Sequence, residues 1–294
     1  MIINADDFGL TSGVNRSIAE CHTRGVVTSA TLMATGAAMT EAAQLAASLP
    51  KLSVGCHVVL VDGAPLLPAG DIPSLADTRN GSRFSSTMGG FLQRLAAGRV
   101  DAGHIEAEAT AQFRKLQEAG VNLTHFDTHK HTHLFPPVLR SLLRAARACG
   151  IGAVRNPFVP SRALAFGELR GRPVLWKRYW QTRALRRFLP KFLELLAEHG
   201  MAAPDGCVGV METGFLDADL FAAMIQSVAE GLPKGTWEMV CHPGYDDAEL
   251  ATVQTRLRES RQLERQVLAS SDARSLLDKS GIEMISFHEL RPRA

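Results

Sequence analysis

Met1-Ile-Ile-Asn-Ala-Asp-Asp-Phe-Gly9 opens the chain: a short apolar run, Met1–Ala5, leads into two adjacent aspartates, Asp6 and Asp7. An apolar run of this length reads as a buried strand. Two neighbouring carboxylates at its end are costly to bury without a counter-charge, and a metal ion is the usual remedy. Outward from this stretch the same alternation repeats. Helical patterns fall over Gly13–Arg24, Glu41–Leu49, Ile105–Ala119, Pro136–Ala148, Ala218–Ala229 and Leu257–Leu268. Between them lie strand patterns over Val26–Met33, Leu52–Val61, Leu123–His129, Ile151–Arg155, Thr236–Cys241 and Ile282–Phe287. Repeated β-then-α units predict an α/β protein with a parallel sheet or barrel.

Length and composition are consistent with this. The 294 residues are 46% apolar and 21% charged, with a net charge of +2. That is an ordinary globular composition, large enough for a core without disulfides, and its charge balance does not mark a nucleic-acid binder. Five scattered cysteines form no CxxC pair, which fits a reducing compartment. Two aspartates by residue 7 argue against a signal peptide, and the uncharged Val26–Thr40 stretch is too short to span a bilayer. The expected location is cytoplasmic, with contact to the inner membrane surface left open.

Four polar clusters close or follow the apolar runs: Asn4–Asp7, Gly55-Cys56-His57, His125–His129, and Cys241-His242-Pro243-Gly244. In barrels and open α/β sheets the carboxyl ends of the strands meet at one face, where sites form. One carboxylate with two imidazoles makes an open metal site with room for water and substrate. Singly, each residue has a plainer reading: His57 as a hydrogen-bonded core histidine, Asp6 and Asp7 as helix caps. His125, Asp127, His129, His131 and His133 would share one face of an extended strand, too far spread for all to reach one ion. Cys56 and Cys241 read as small buried strand residues.

Two stretches break the rhythm, at about 62–103 and 156–205, and read as insertions in a single catalytic domain spanning 1–294. From Arg162 to Lys191 there are nine Lys or Arg against one acid, Glu168, together with Trp176, Tyr179 and Trp180. Trp176, Trp180, Ala184 and Phe188 recur every four residues. The segment is either a solvated helix packed on the body by its aromatics or a foot that meets anionic lipid.

The motifs NADDFGL, GCHVVLVDG, HFDTHKHTH and Glu238-Met-Val-Cys-His242-Pro-Gly together resemble the YdjC-like carbohydrate deacetylases. The stretch VLVDGAPLLPAGDIPSLAD, residues 59–77, looks most like the hopanoid-associated branch of that family. The resemblance implies a distorted, incomplete TIM-like barrel with one divalent metal ion at its carboxyl-end face. It implies Asp7, His57 and His129 as metal ligands, Asp6 as general base and His242 as general acid. Arg155 matches an arginine that holds the substrate or orients Asp6. Cys56 stands where the family has an aliphatic residue, and Thr128 where it has serine. The implied reaction removes the N-acetyl group from an N-acetylglucosaminyl hopanoid lipid. The alternatives are a soluble N-acetylated oligosaccharide, or a non-catalytic metal- or lipid-binding protein. Asp plus two His suits Zn²⁺ first, with Mg²⁺, Mn²⁺, Ni²⁺ or Co²⁺ as alternatives.

Overall fold

The computed structural model describes residues 1–77, 81–160 and 173–291. In chain order its elements are β1 (Ile2–Phe8), α1 (Ser12–Thr23), β2 (Ser29–Leu32), α2 (Met39–Ser48) and β3 (Ser53–Val58). Then come β4 (Ala76–Asp77), β5 (Arg83–Phe84), α3 (Met88–Ala96), α4 (Ala102–Glu118), β6 (Leu123–Thr128), α5 (Pro136–Ala148) and β7 (Ala153–Val154). The last part holds α6 (Pro173–Leu185), α7 (Leu189–His199), β8 (Gly206–Val208), α8 (Ala218–Gln226), β9 (Trp237–Cys241), α9 (Ala248–Ala251), α10 (Glu259–Leu268) and α11 (Ser271–Ser280).

Seven strands pair in parallel in the order β7-β6-β3-β2-β1-β9-β8 and curl into a half-barrel, the distorted, incomplete TIM-like architecture expected. Helices start where the chain supplies caps. Thr11 accepts from the Val14 N–H at α1, Asp101 from Gly103 and His104 at α4, and Asp217 from Leu220 at α8. Pro136 and Pro137 open α5, where a missing N–H costs nothing.

Strand alternation sorts the side chains into two layers. Ile3, Ala5 and Phe8 of β1 and Val54, Cys56 and Val58 of β3 join the main apolar core with the helices. Cys56 therefore faces away from the concave interior. On the interior side, Ile2, Ala153, Ala202 and Phe287 form a separate apolar floor. Above it His125 stacks on Phe287, ring centroids 3.7 Å apart, and its Nε2 meets Asn4 Oδ1 at 3.1 Å. Gly55 leaves the space that this ring needs: a Cβ there would sit 2.7 Å from it.

Several expectations are corrected by the structure. Ile282–Phe287 is not a strand. The segment meets Met1, just ahead of β1, through Ile285 N–H to Met1 O and the Met1 amino group to Glu283 O, and turns inward so that Phe287 plugs the half-barrel. The strand at Val26–Met33 contracts to Ser29–Leu32, and the helix expected from Leu257 starts at Glu259. The irregular 62–103 stretch holds the β4–β5 hairpin and α3. Strand β8 and helix α11 were not legible: three residues are too few for a period, and α11 has an acidic and basic surface with few apolar positions. In the basic segment, residues 161–172 lie outside the described residues. The expected four-residue stripe is split. Phe188 packs on Phe135, whereas Trp180 is 62% exposed.

Gly55→Ala should destabilise the fold by about 1–3 kcal/mol, because the His125 ring is pinned between Phe287 and Asn4 and has nowhere to move. Urea unfolding followed by circular dichroism measures this. Wild-type stability would mean that the interior is looser than the stacking implies.

Candidate metal centre and active site

Neighbours on a regular strand point to opposite faces, yet Asp6 and Asp7 reach the same site. The reason is local. Asp7 has φ 65°, in the left-handed region, and the pairing of β1 with β2 slips between Ala5 and Phe8. Such a conformation costs a non-glycine residue about 1–3 kcal/mol and persists only where surrounding contacts hold it. Here Leu10 N–H bonds back to Asp7 O, and Gly9 N–H donates to Asn15 Oδ1 at 2.7 Å.

Asp6 is held by Arg155, which follows β7. The guanidinium donates from Nη1 to Asp6 Oδ2 at 2.8 Å and from Nη2 to Oδ1 at 2.6 Å. Its Nη1 also pairs with Asp127, and its Nε donates to Glu238 Oε1 at 2.7 Å. Arg155 is wholly buried and is not among the residues that line the cleft, and its side-chain contacts are with Asp6, Asp127 and Glu238. Burial alone would raise the Asp6 carboxyl, but Arg155 overrides it and holds the group well below the usual carboxylate range.

Asp7 Oδ1, His57 Nε2 and His129 Nδ1 form a triangle with sides of 3.4, 3.5 and 3.8 Å. Tetrahedral ligands at about 2.1 Å from Zn²⁺ lie roughly 3.4 Å apart, so these residues fit a divalent ion. The ring of His57 is aimed from behind. Its Nδ1 lies 2.7 Å from Asp127 Oδ1, the carboxylate–histidine pairing typical of metal ligands. Asp6, His57 and Asp127 form a second cluster of ligand atoms, but the Arg155 guanidinium already lies between the two carboxylates, which excludes a cation there.

His129 is presented differently from the expected extended strand. β6 ends at Thr128, and the chain turns through Lys130 and His131, both left-handed at φ 57° and 54°. This breaks the one-face alternation. His125 stays in the interior below the site, His131 lines the cleft, and His133 folds under it with Nδ1 2.6 Å from Thr128 Oγ1.

His242 follows β9, and its Nε2 lies 3.8 Å from Asp6 Oδ2. Two residues of α10, absent from the sequence expectations, secure this corner. Arg261 donates from Nη2 to Asp7 Oδ2 at 2.5 Å, and Glu264 accepts from the His242 N–H. Both are buried and fall with Leu268 on one helical stripe. The available signal was that spacing, charged residues at core positions of an amphipathic helix, which a solvated helix face also shows.

Ionisation follows from these contacts. Burial opposes charge on every group here, so the partners decide. Asp7 lies below the usual carboxylate range because of Arg261 and the nearby histidines. His57 is raised to about 9 by Asp127, Asp6 and Asp7 against the pull of burial. His129 and His242 are both lowered by burial to about 4 and stay neutral at neutral pH. Glu264 is pushed up by burial to about 7.

The triangle, Asp6 and His242 open on a cleft of about 560 Å³, walled on one side by Arg178, Gln181, Thr182 and Leu185 of α6. A volume of this size suits a small ligand. Fold and site together define a parallel half-barrel with a candidate metal triad, an adjacent carboxylate paired with a buried arginine, and a histidine. The YdjC-like protein family model matches residues 1–279, and the chain belongs to that family. It is 33% identical to a carbohydrate deacetylase of Geobacillus stearothermophilus, over 98% of this chain and 96% of the relative. It is 30% identical to a chitooligosaccharide deacetylase of Serratia marcescens, over 99% and 98%. Among solved structures it superposes with a TM-score of 0.73 and 25% identity on an Enterococcus faecalis protein named, provisionally, for cellobiose-phosphate cleavage, covering 97% of this chain and 96% of that one.

Glu264 gives the site a measurable pH signature. The folded carboxyl keeps its proton to about pH 7, whereas its ordinary value is 4.5. Between these values the unfolded state has lost a proton that the folded state retains, so the contribution of Glu264 to stability falls as pH rises and levels off above 7. Glu264→Gln keeps an acceptor for the His242 N–H and removes the titration. In thermal melts from pH 4 to 8, the stability of the variant relative to wild type should rise by on the order of 2–3 kcal/mol between about pH 4.5 and 7. Parallel profiles would mean that Glu264 is ionised throughout.

Proposed function

We propose that this protein is a metal-dependent carbohydrate N-deacetylase, hydrolysing an N-acetyl amide to acetate and a free amine. The observation that carries the reading is the Asp7–His57–His129 donor triangle with Asp6 and His242 beside it at the floor of one cleft. The carbohydrate and chitooligosaccharide deacetylases among its relatives support it. A divalent ion held by Asp7, His57 and His129 would supply Lewis-acid polarisation of the amide carbonyl and acidify water, with Zn²⁺ suited to this donor set and Mg²⁺, Mn²⁺, Ni²⁺ and Co²⁺ as alternatives.

The chain's own residues handle the proton. Asp6 is ionised at neutral pH and accepts the proton of the attacking water. Arg155 fixes both its oxygens, so its direction toward the cleft does not wander. His242 begins neutral, with Nε2 3.8 Å from Asp6 Oδ2. The proton that departs with the amine is therefore the one collected by Asp6 and passed to His242. The water's oxygen goes to the acyl carbon, the C–N bond breaks, and the nitrogen takes that proton. Such transfers are worth about 10²–10⁴-fold each.

The finer reading places the N-acetyl sugar on a hopanoid lipid. The 59–77 stretch and the outward face of α6 support it: Trp180 and Val174 are 62% and 52% exposed on the helix that walls the cleft, among Lys177, Arg183 and Arg187. A cation-flanked aromatic face suits peripheral contact with an anionic membrane. No helix among the described residues is long and apolar enough to cross a membrane. A soluble N-acetylated oligosaccharide is the second reading, favoured by the names of the relatives. A non-catalytic binding protein would leave Asp6 only its ion pair with Arg155, and His242 beside it at the cleft without a task.

Metal-loaded protein incubated with N-acetylglucosaminyl hopanoid and with chitooligosaccharides, acetate release being followed by mass spectrometry, tests reaction and substrate together. Asp6→Asn should retain the metal and lose at least a hundredfold in turnover, and His57→Ala should lose both. Normal turnover by Asp6→Asn would remove the base assignment. Trp180→Ala should lower co-sedimentation with anionic vesicles several-fold; unchanged sedimentation would withdraw the membrane support and favour the soluble sugar.

A further inference from the structure

Asp6 and Asp7 are identical in chemistry and adjacent in sequence, yet only one is free to offer an oxygen to an ion. Two buried arginines make the difference. Arg155 occupies both oxygens of Asp6. Arg261 occupies only one of Asp7, Oδ2, and leaves Oδ1 facing His57 Nε2 and His129 Nδ1. Arg261 is itself immobilised. It is 1% exposed, and its Nε donates to Leu257 O at 3.1 Å, one turn back on the chain. The Gly244 N–H bonds to its carbonyl at 3.1 Å. A Cβ on Gly244 would approach the Arg261 stem to 3.0 and 3.2 Å, so the loop after His242 is moulded against that stem. The Asp7 backbone is fixed as well, in its left-handed conformation. Neither partner of the Arg261–Asp7 pair can easily turn away.

This bears on which ion the centre takes. A carboxylate with one oxygen committed to a guanidinium ligates through the other alone. One oxygen and two imidazole nitrogens suit a compact four-coordinate ion such as Zn²⁺. Larger, harder ions gain from extra oxygen ligands and from carboxylates that bind through both oxygens. Resting on the metal-centre reading above, we propose that Arg261 is the specificity-determining residue of this centre. By holding Asp7 to a single coordinating oxygen, it favours Zn²⁺ over oxygen-preferring ions such as Mn²⁺.

The test is the ratio of Zn²⁺ to Mn²⁺ affinity, measured on the full chain by competition with a chelating dye. Absolute preference for Zn²⁺ is expected of almost any site with these donors, so the change in ratio is what matters. Arg261→Met frees Oδ2 and should lower the ratio tenfold or more, with Mn²⁺ affinity rising in absolute terms. Arg261→Lys, which keeps a cationic donor on this stem, should recover at least half of that change on a logarithmic scale. Circular dichroism checks that each variant is folded. Should Arg261→Met fail to fold, Gly244→Ala displaces the stem with the charge retained, and should move the ratio in the same direction by about threefold. A ratio within twofold of wild type in a folded Arg261→Met protein, or in Gly244→Ala where that variant stands in for it, would overturn the assignment. So would equal ratios for the Met and Lys variants. Wild-type protein that binds neither ion would instead overturn the metal centre itself, which keeps the two failures distinct.

Discussion

The concave face of this half-barrel depends on one buried cation. Arg155 lies among Asp6, Asp127 and Glu238, three carboxylates from three different strands, all out of contact with solvent. Uncompensated, each carboxylate would cost several kcal/mol to bury. The guanidinium can serve all three because its donors form a planar fork, which a lysine ammonium cannot reproduce. Even so, three acids exceed one base. Burial and the neighbouring carboxylates raise Glu238 to about 8, so it holds its proton at neutral pH, and the cluster approaches balance.

That cluster passes its order to the candidate metal triangle of Asp7, His57 and His129. Asp127, fixed by Arg155, orients His57 through Nδ1 and leaves Nε2 facing Asp7 Oδ1 and His129 Nδ1. Thr31 Oγ1 touches Asp6, His57 and Asp127 at 3.2–3.4 Å and closes the space between them. Below, Asn4 connects the acids to the histidine floor. Its Nδ2 donates to Asp6 Oδ1 at 2.9 Å, while its Oδ1 meets His125. The polar interior is thus built in layers, like the inward side chains of a closed barrel, with an apolar plug at Phe287 and charge increasing toward the cleft.

Much of this was legible in residue order. The apolar runs and helical periods located most strands and helices, because both signals depend on near neighbours. The acids and histidines at strand ends pointed to one face, since parallel strands bring their carboxyl ends together. The errors were also local in origin. His125 to His133 looked like one continuous strand, and nothing nearby announced the left-handed turn at Lys130 and His131, residues that usually avoid it. Ile282–Phe287 has a strand's composition but takes its place from the hollow that Phe287 fills.

What the sequence determined by itself was the succession of β and α units and the types of ligand atom available at the strand ends. The tertiary structure alone decided which oxygens of the two aspartates are committed to buried arginines. Asp6 and Asp7 acquire different buried partners, Arg155 and Arg261, which lie 149 and 254 residues further along the chain. A buried ion pair is chosen by whichever elements the fold brings into contact. An arginine on a helix reads the same from sequence whether it faces water or the metal centre.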